Sequence, residues 1–276
     1  MCKKVELCGT EAHGAVEMTE FGLVIPALTI IVGQACSLKC KHCANFSPYA
    51  PIQAKHYSLE QICMDLKLIF EASYRTKKIQ VQGGEPFLYQ ELPELLDFIR
   101  NSGKVDVLTV ATNGTILPRD QVLDALQRNH VRVRISEYPI VAEESIRKLK
   151  ERLNAYNIEI WNYQFASNDA MWYDMGGVSN SATAESEERV QQRFINCPFH
   201  DCFTLENSKI SRCGRAVMAE QLQGFIAKEK DLLCISPSKD LQIMLWQYLK
   251  TPEHMEACRY CRGAEGEKIV PAQQIV

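Results

Sequence analysis

Apolar positions along this chain change their period several times, and the changes mark out elements. Residues 28–32 form a β-branched apolar run that stops at Gly33, the pattern of a buried strand. Leu59, Ile62, Leu66, Ile69 and Phe70 then fall at helical spacing, with Ser58 and Gln61 placed as a capping box. The alternation continues. Strands are predicted at 78–82, 105–111, 131–136 and 158–163, and helices at 92–100, 119–128 and 143–153. Five strands alternating with four helices predict an α/β protein of βα units around a parallel sheet. Periodicity does not decide between an open sheet and a barrel.

Outside this region the pattern is weaker. Residues 1–28 read as an N-terminal extension. After Phe165 the alternation lapses. Residues 167–184 are rich in Ser, Asn, Gly and Ala around Met171, Trp172, Tyr173 and Met175; a long loop of this kind reads as a lid. A polar helix at 185–194, a β-hairpin turning at Asn207 and Ser208, and a helix at 239–250 follow. The expected division is a core at 29–166 and a second unit at 167–276.

Composition narrows the class. The 276 residues are 46% hydrophobic and 24% charged, as in a globular protein. The formal net charge of −3 carries no basic footprint for nucleic acid. The longest apolar candidate, 21–33, is broken by Pro26 and falls short of a membrane span. A soluble, cytoplasmic protein without membrane or nucleic-acid partners is expected. The twelve cysteines should then be reduced and serve metal or redox chemistry.

Three of these cysteines, Cys36, Cys40 and Cys43, form Cys-x3-Cys-x2-Cys directly after the first strand of the alternation. Thiolates hold iron–sulfur clusters, and three of them on a four-iron cubane leave one iron open to a small molecule. A structural zinc site with His42 as fourth ligand is the alternative. Both stay open on spacing alone.

The motif in this position resembles that of radical SAM enzymes, whose residue before the third cysteine is often aromatic; His42 stands there. Gly83-Gly84-Glu85-Pro86, at the end of the next strand, resembles the family's GGEP motif. Thr112 and Ser136 end the following two strands, where family members contact S-adenosylmethionine (SAM). The resemblance spans about residues 28–165 and implies a partial (β/α)6 barrel. It also implies a [4Fe–4S] cluster on Cys36, Cys40 and Cys43, and SAM bound by His42, Gly83, Gly84, Glu85, Thr112, Arg134 and Ser136. Strand parity puts Arg132 and Arg134 on the face of Ser136, and Gln80 on that of Gln82. If those faces point inward, the cavity is polar and cationic, and Arg134 is a candidate catalytic residue.

Cys197, Cys213, Cys258 and Cys261 are spaced Cys-x15-Cys-x44-Cys-x2-Cys. A hairpin brings the first two together, and four converging cysteines would close a zinc or [4Fe–4S] site. The layout is similar to the shortened auxiliary-cluster (twitch) domain of radical SAM enzymes of the aminocyclitol dehydrogenase type. Cys202 competes with Cys197 as a ligand. Otherwise it is a free, buried residue or a hydrogen-atom donor near the substrate.

The resemblance implies reductive cleavage of SAM to a 5′-deoxyadenosyl radical, which takes hydrogen from an sp3 carbon. Oxidation or epimerisation of a small polar substrate such as an aminosugar or cyclitol is expected, with flavodoxin or ferredoxin as one-electron donor. A peptide substrate is the second possibility. A non-enzymatic iron–sulfur or zinc protein is the alternative of another class.

Overall fold

The computed structural model describes residues 15–164, 171–177, 185–200 and 202–275. Residues 1–14 of the expected extension and most of the expected lid fall outside this set. Twelve strands are described: β1 Glu17–Thr19, β2 Gly22–Ile25, β3 Leu28–Ile31, β4 Arg75–Gln82, β5 Val105–Thr112, β6 Arg132–Glu137, β7 Ile160–Gln164, β8 Trp172–Tyr173, β9 Thr204–Glu206, β10 Lys209–Ser211, β11 Leu233–Cys234 and β12 Lys268–Ile269. The α-helices are α1 Leu59–Ala72, α2 Leu92–Asn101, α3 Asp120–Arg128, α4 Glu143–Ala155, α5 Glu187–Ile195, α6 Ala216–Gln221 and α7 Leu241–Lys250.

The predicted alternation is the centre of the fold. Strands β3 to β7 lie side by side in chain order and pair in parallel. Helices α1 to α4 fill the four crossovers, as parallel neighbours require. The buried strand residues Ile30, Ile79, Val81, Val110, Val133 and Ile135 share one core with Leu66, Leu95, Leu96, Leu123, Leu126 and Leu149 of the helices. Ser58 caps α1 by accepting from the Gln61 amide. The reciprocal half of the expected box is not made, because the Gln61 side chain turns to Asp65.

Two pairings cross the expected boundaries. β2 pairs in parallel with β4 and antiparallel with β1, so residues 17–25 belong to the sheet. The hairpin β9–β10 turns at Asn207 and Ser208, both with positive φ. β9 then pairs in parallel with β3, Thr29 opposite Thr204. The sheet therefore continues into the C-terminal half, past the division expected near 166. β9 lies beside β3 on the side away from β7, with β10 and β11 beyond it. β8 and β12 form a separate two-stranded ladder. Among the described residues, no helix is long and apolar enough to cross a membrane.

Candidate active site

A parallel sheet sends the C-terminal ends of its strands to one rim, the usual place for a site in such folds. Here the rim carries the cysteine loop after β3, Gly83-Gly84 after β4, Thr112 and Asn113 at the end of β5, and Arg134 and Ser136 on β6. All of them line a single cavity. Cys36, Cys40, His42 and Cys43 form one wall, and Tyr138, Trp172, Tyr173 and Met175 lie on another. The parity argument holds for Arg134 and Ser136, which both face the cavity. Arg132 instead pairs with Glu159 at 2.8 Å. Gln82 reaches the cavity, and Gln80 donates to it from behind at 2.7 Å.

The two glycines have a reason that the sequence does not show. A Cβ on Gly83 would stand 2.2 Å from the Gly33 carbonyl oxygen, and one on Gly84 2.2 Å from that of Ala35. The chain entering the cysteine loop crosses directly over them. It is held there by the Gly84 amide donating to Gly33 O at 2.9 Å and the Glu85 amide donating to Ala35 O at 2.7 Å. The glycines thus place Cys36 as well as shaping the cavity.

Glu85 departs from the expectation. It is 2% exposed and is not among the cavity's lining residues. Its carboxylate accepts from the Thr112 hydroxyl at 2.9 and 3.0 Å, the Asn113 amide at 2.9 Å and the Phe87 amide at 3.1 Å. Glu85 ties the end of β4 to the end of β5, and Thr112 spends its proton on that tie. Burial pushes the Glu85 pKa up to about 7, against these hydrogen bonds. What the β4 end offers a ligand is the backbone of Gly83 and Gly84.

The three rim cysteines are free thiols. Cys36 Sγ accepts from the Leu38 amide at 3.4 Å and Asn113 Nδ2 at 3.6 Å. Cys40 Sγ accepts from Gln274 Nε2 at 3.5 Å. The Cys43 thiol faces Ser47 Oγ at 3.7 Å. Burial, with neighbouring thiols adding, pushes Cys36 up to about 11 and Cys40 up to about 12. Three thiolates at one cavity need a positive group among them, and N–H donors at the sulfurs suit an iron–sulfur cluster. A tetrahedral zinc at this site would need His42 as its fourth ligand. His42 pairs instead with Asp174 at 3.2 Å, and Asp174 pairs with Arg262 at 2.6 Å.

The cysteines of the second group also share a cavity. Cys197, Cys213, Cys258 and Cys261 are free and line one cavity. Cys197 Sγ accepts from the Phe199 amide at 3.4 Å and Cys261 Sγ from the Gly263 amide at 3.3 Å. Burial pushes Cys197 up to about 12, with the Cys213 and Cys261 thiols adding. Phe199 and Arg215 line both cavities and so stand between them. Arg215 lies 4.4 Å over the Phe46 ring and donates to Gly176 O at 2.8 Å.

Cys202 corrects an expectation. It lines the larger cavity at 4% exposure but is disulfide-bonded. The free thiol that a hydrogen-atom donor requires is not there.

Sequence reasoning missed a polar relay behind the cysteine loop. Buried Glu206 of β9 accepts from Gln34 Nε2 at 2.7 Å and Tyr57 Oη at 3.0 Å. Gln34 in turn accepts from Ser47 Oγ at 2.7 Å, and Ser47 faces Cys43. The hairpin that leads to Cys213 is thereby tied to the loop that carries Cys43. A glutamate inside a strand beside a parallel sheet was the available signal.

The class so defined is an α/β fold of parallel β/α units with three thiols at its rim. Residues 30–137 match the family model of the radical SAM superfamily. It is 32% identical over 106 residues to a GTP 3′,8-cyclase of Chlorobaculum tepidum, covering 38% of this chain and 30% of the relative. It is 31% identical over 103 residues to a putative glycyl-radical enzyme activating enzyme of Methanocaldococcus jannaschii, covering 37% of each. The chain thus spans about a third of the length of these curated relatives. Among solved structures, BtrN in complex with AdoMet and 2-DOIA superposes with a TM-score of 0.53 at 12% identity, covering 91% of this chain and 97% of that one. Native anSMEcpe with bound AdoMet and Cp18Cys peptide gives 0.52 at 14% identity, covering 82% and 80%. These likenesses are of fold.

Proposed function

We propose that this protein cleaves SAM reductively and uses the resulting 5′-deoxyadenosyl radical to oxidise an sp3 carbon of a small polar substrate. The observation that carries the reading is one cavity bounded by Cys36, Cys40 and Cys43, the Gly83-Gly84 backbone, Arg134 and Ser136. Cys36, Cys40 and Cys43 would hold a [4Fe–4S] cluster, whose chemistry would be one-electron reduction of the SAM sulfonium. Cys197, Cys213, Cys258 and Cys261 would hold a second [4Fe–4S] cluster, which would serve as an electron acceptor. Arg134 offers its guanidinium to the SAM carboxylate from the floor of the cavity, where low dielectric strengthens the pair. Ser136, beside it, supplies a hydroxyl. Tyr138 and Trp172, ring centroids 5.4 Å apart and edge to face, exclude water from the reacting carbon, and positioning that carbon is the main catalytic task.

In balance, the substrate gives a hydrogen atom to form 5′-deoxyadenosine. It then gives an electron toward the second cysteine group, past Phe199 and Arg215, and a proton to solvent or a cavity base. A flavodoxin- or ferredoxin-type protein restores the first electron. The second reading is a peptide whose residue enters beneath Trp172 and Tyr173. The aromatic wall at β8 favours it, since such rings take an extended side chain as readily as a sugar ring.

The test is an iron and sulfide count on anaerobically reconstituted protein beside a Cys36/Cys40/Cys43→Ala variant, followed by 5′-deoxyadenosine detection with SAM and dithionite. About eight irons falling to about four, with 5′-deoxyadenosine made only by the unmutated protein, is expected. Iron without 5′-deoxyadenosine would make the chain an electron carrier. Four irons that all vanish in the variant would remove the second cluster and the oxidative reading. Aminocyclitols and peptides, added separately, then distinguish the two substrate classes by which one accelerates SAM cleavage.

A further inference from the structure

Residues 273–275 run antiparallel to the cysteine loop, pairing Gln274 with Cys40. The Lys41 amide donates to Gln273 O at 2.7 Å and the Ile275 amide to Lys39 O at 2.8 Å. Inside this clasp the Gln274 carboxamide is fully used. Its Oε1 accepts from the Lys39 amide at 2.7 Å. Its Nε2 donates one hydrogen to Ala272 O at 2.6 Å and points the other at Cys40 Sγ, 3.5 Å away. Cys40 is the most buried of the three rim cysteines. The donors at Cys36 come from the loop itself and from the end of β5. The donor at Cys40 comes from a segment 234 residues distant.

We infer that Gln274 is a positioning residue that sets the reduction potential of the cluster held by Cys36, Cys40 and Cys43. This rests on the function proposed above. A reduced cluster carries one more electron than an oxidised one, and part of that charge falls on the ligating sulfurs. An N–H aimed at a sulfur therefore stabilises the reduced form more and raises the potential. Gln274 makes the cluster easier to reduce, and it does so through Cys40 without entering the cavity.

Two variants separate this from a purely structural role. Gln274→Glu keeps an oxygen for the Lys39 amide, removes the N–H and sets a carboxylate beside the sulfur. Gln274→Leu removes both contacts. The measurement is a redox titration followed by electron paramagnetic resonance, reading the reduced signal that changes when SAM is added, with iron content alongside. At the potential where the unmutated cluster is half reduced, the reduced-to-oxidised ratio should fall about tenfold in Gln274→Leu, equivalent to about 59 mV for a one-electron couple. It should fall at least as far in Gln274→Glu, with iron content unchanged. A normal ratio in Gln274→Glu would overturn the inference, because the Lys39 contact alone would then matter. Loss of iron from this set in both variants would also overturn it, since Gln274 would then only hold the loop. No SAM-responsive signal in the unmutated protein would instead refute the proposed function itself.

Discussion

Replacing Glu206 with glutamine should stabilise this protein at alkaline pH and leave it unchanged at acid pH. The carboxylate is 1% exposed, and only its Oε1 has partners, Gln34 Nε2 and Tyr57 Oη. Its Oε2 is buried without one. Burial pushes its pKa from 4.5 up to about 7. At about 1.4 kcal/mol per pH unit, ionising Glu206 in the fold costs about 3 kcal/mol more than in the unfolded chain. Because the folded pKa is the higher one, its contribution is whole below pH 4.5 and is lost as pH rises through about 7. Glutamine keeps the accepting oxygen and never ionises. Thermal unfolding of both proteins at pH 5 and pH 8, under anaerobic conditions, is the assay. The midpoints should lie within about 2 °C of each other at pH 5, and at pH 8 the variant should melt higher by on the order of 6 °C, taking about 2 °C per kcal/mol for a chain of this size. A variant that melts lower than the unmutated protein at pH 8 would refute the reasoning, because it would mean that the relay holds Glu206 as a charged acceptor.

Other expectations follow from the same geometry. Gly84→Ala sets a Cβ 2.2 Å from Ala35 O and 2.8 Å from the Cys36 Cβ; iron bound at the first cysteine group should drop by half or more while far-ultraviolet circular dichroism stays unchanged. Glu85→Gln replaces one accepting oxygen with a donor facing the Thr112, Asn113 and Phe87 donors, and should cost about 1–3 kcal/mol in denaturant unfolding near pH 8. Arg134→Ala should weaken SAM binding at least tenfold by equilibrium dialysis, since a charge-assisted hydrogen bond is worth about 1.5–3 kcal/mol, with iron content intact. Cys213→Ala should halve total iron and leave the SAM-responsive signal in place.

The β/α alternation was legible because its strands are short apolar runs and its helices carry one apolar face. Their boundaries moved by only a few residues, as at β4, which begins at Arg75 rather than Lys78. The cysteine loop and its strand ends were legible because parallel strands deliver their ends to one rim. Three things were not. Glu85 lies in a motif that suggested contact with a ligand, yet its carboxylate is consumed by donors on the next strand, a long-range pairing that no local pattern encodes. The hairpin's place beside β3 was missed because an edge pairing depends on which strand is left open. The clasp of Gln273, Gln274 and Ile275 was missed because extended backbone contacts leave no periodicity in so short a segment.

The pairing of β3 with β9 has a consequence for how the protein matures. The cysteine loop is braced by residues made long after it: Gln34 binds Glu206, 172 residues later, and Cys40 receives Gln274, 234 residues later. Contacts so distant in sequence form late and slowly. On the ribosome, Cys36, Cys40 and Cys43 emerge early, yet their loop cannot settle until nearly all of this chain has been translated. Metal delivery therefore meets either a nascent chain with three unsecured thiols or a finished one. The architecture favours the finished one, so a cell would make this protein first and load it afterwards.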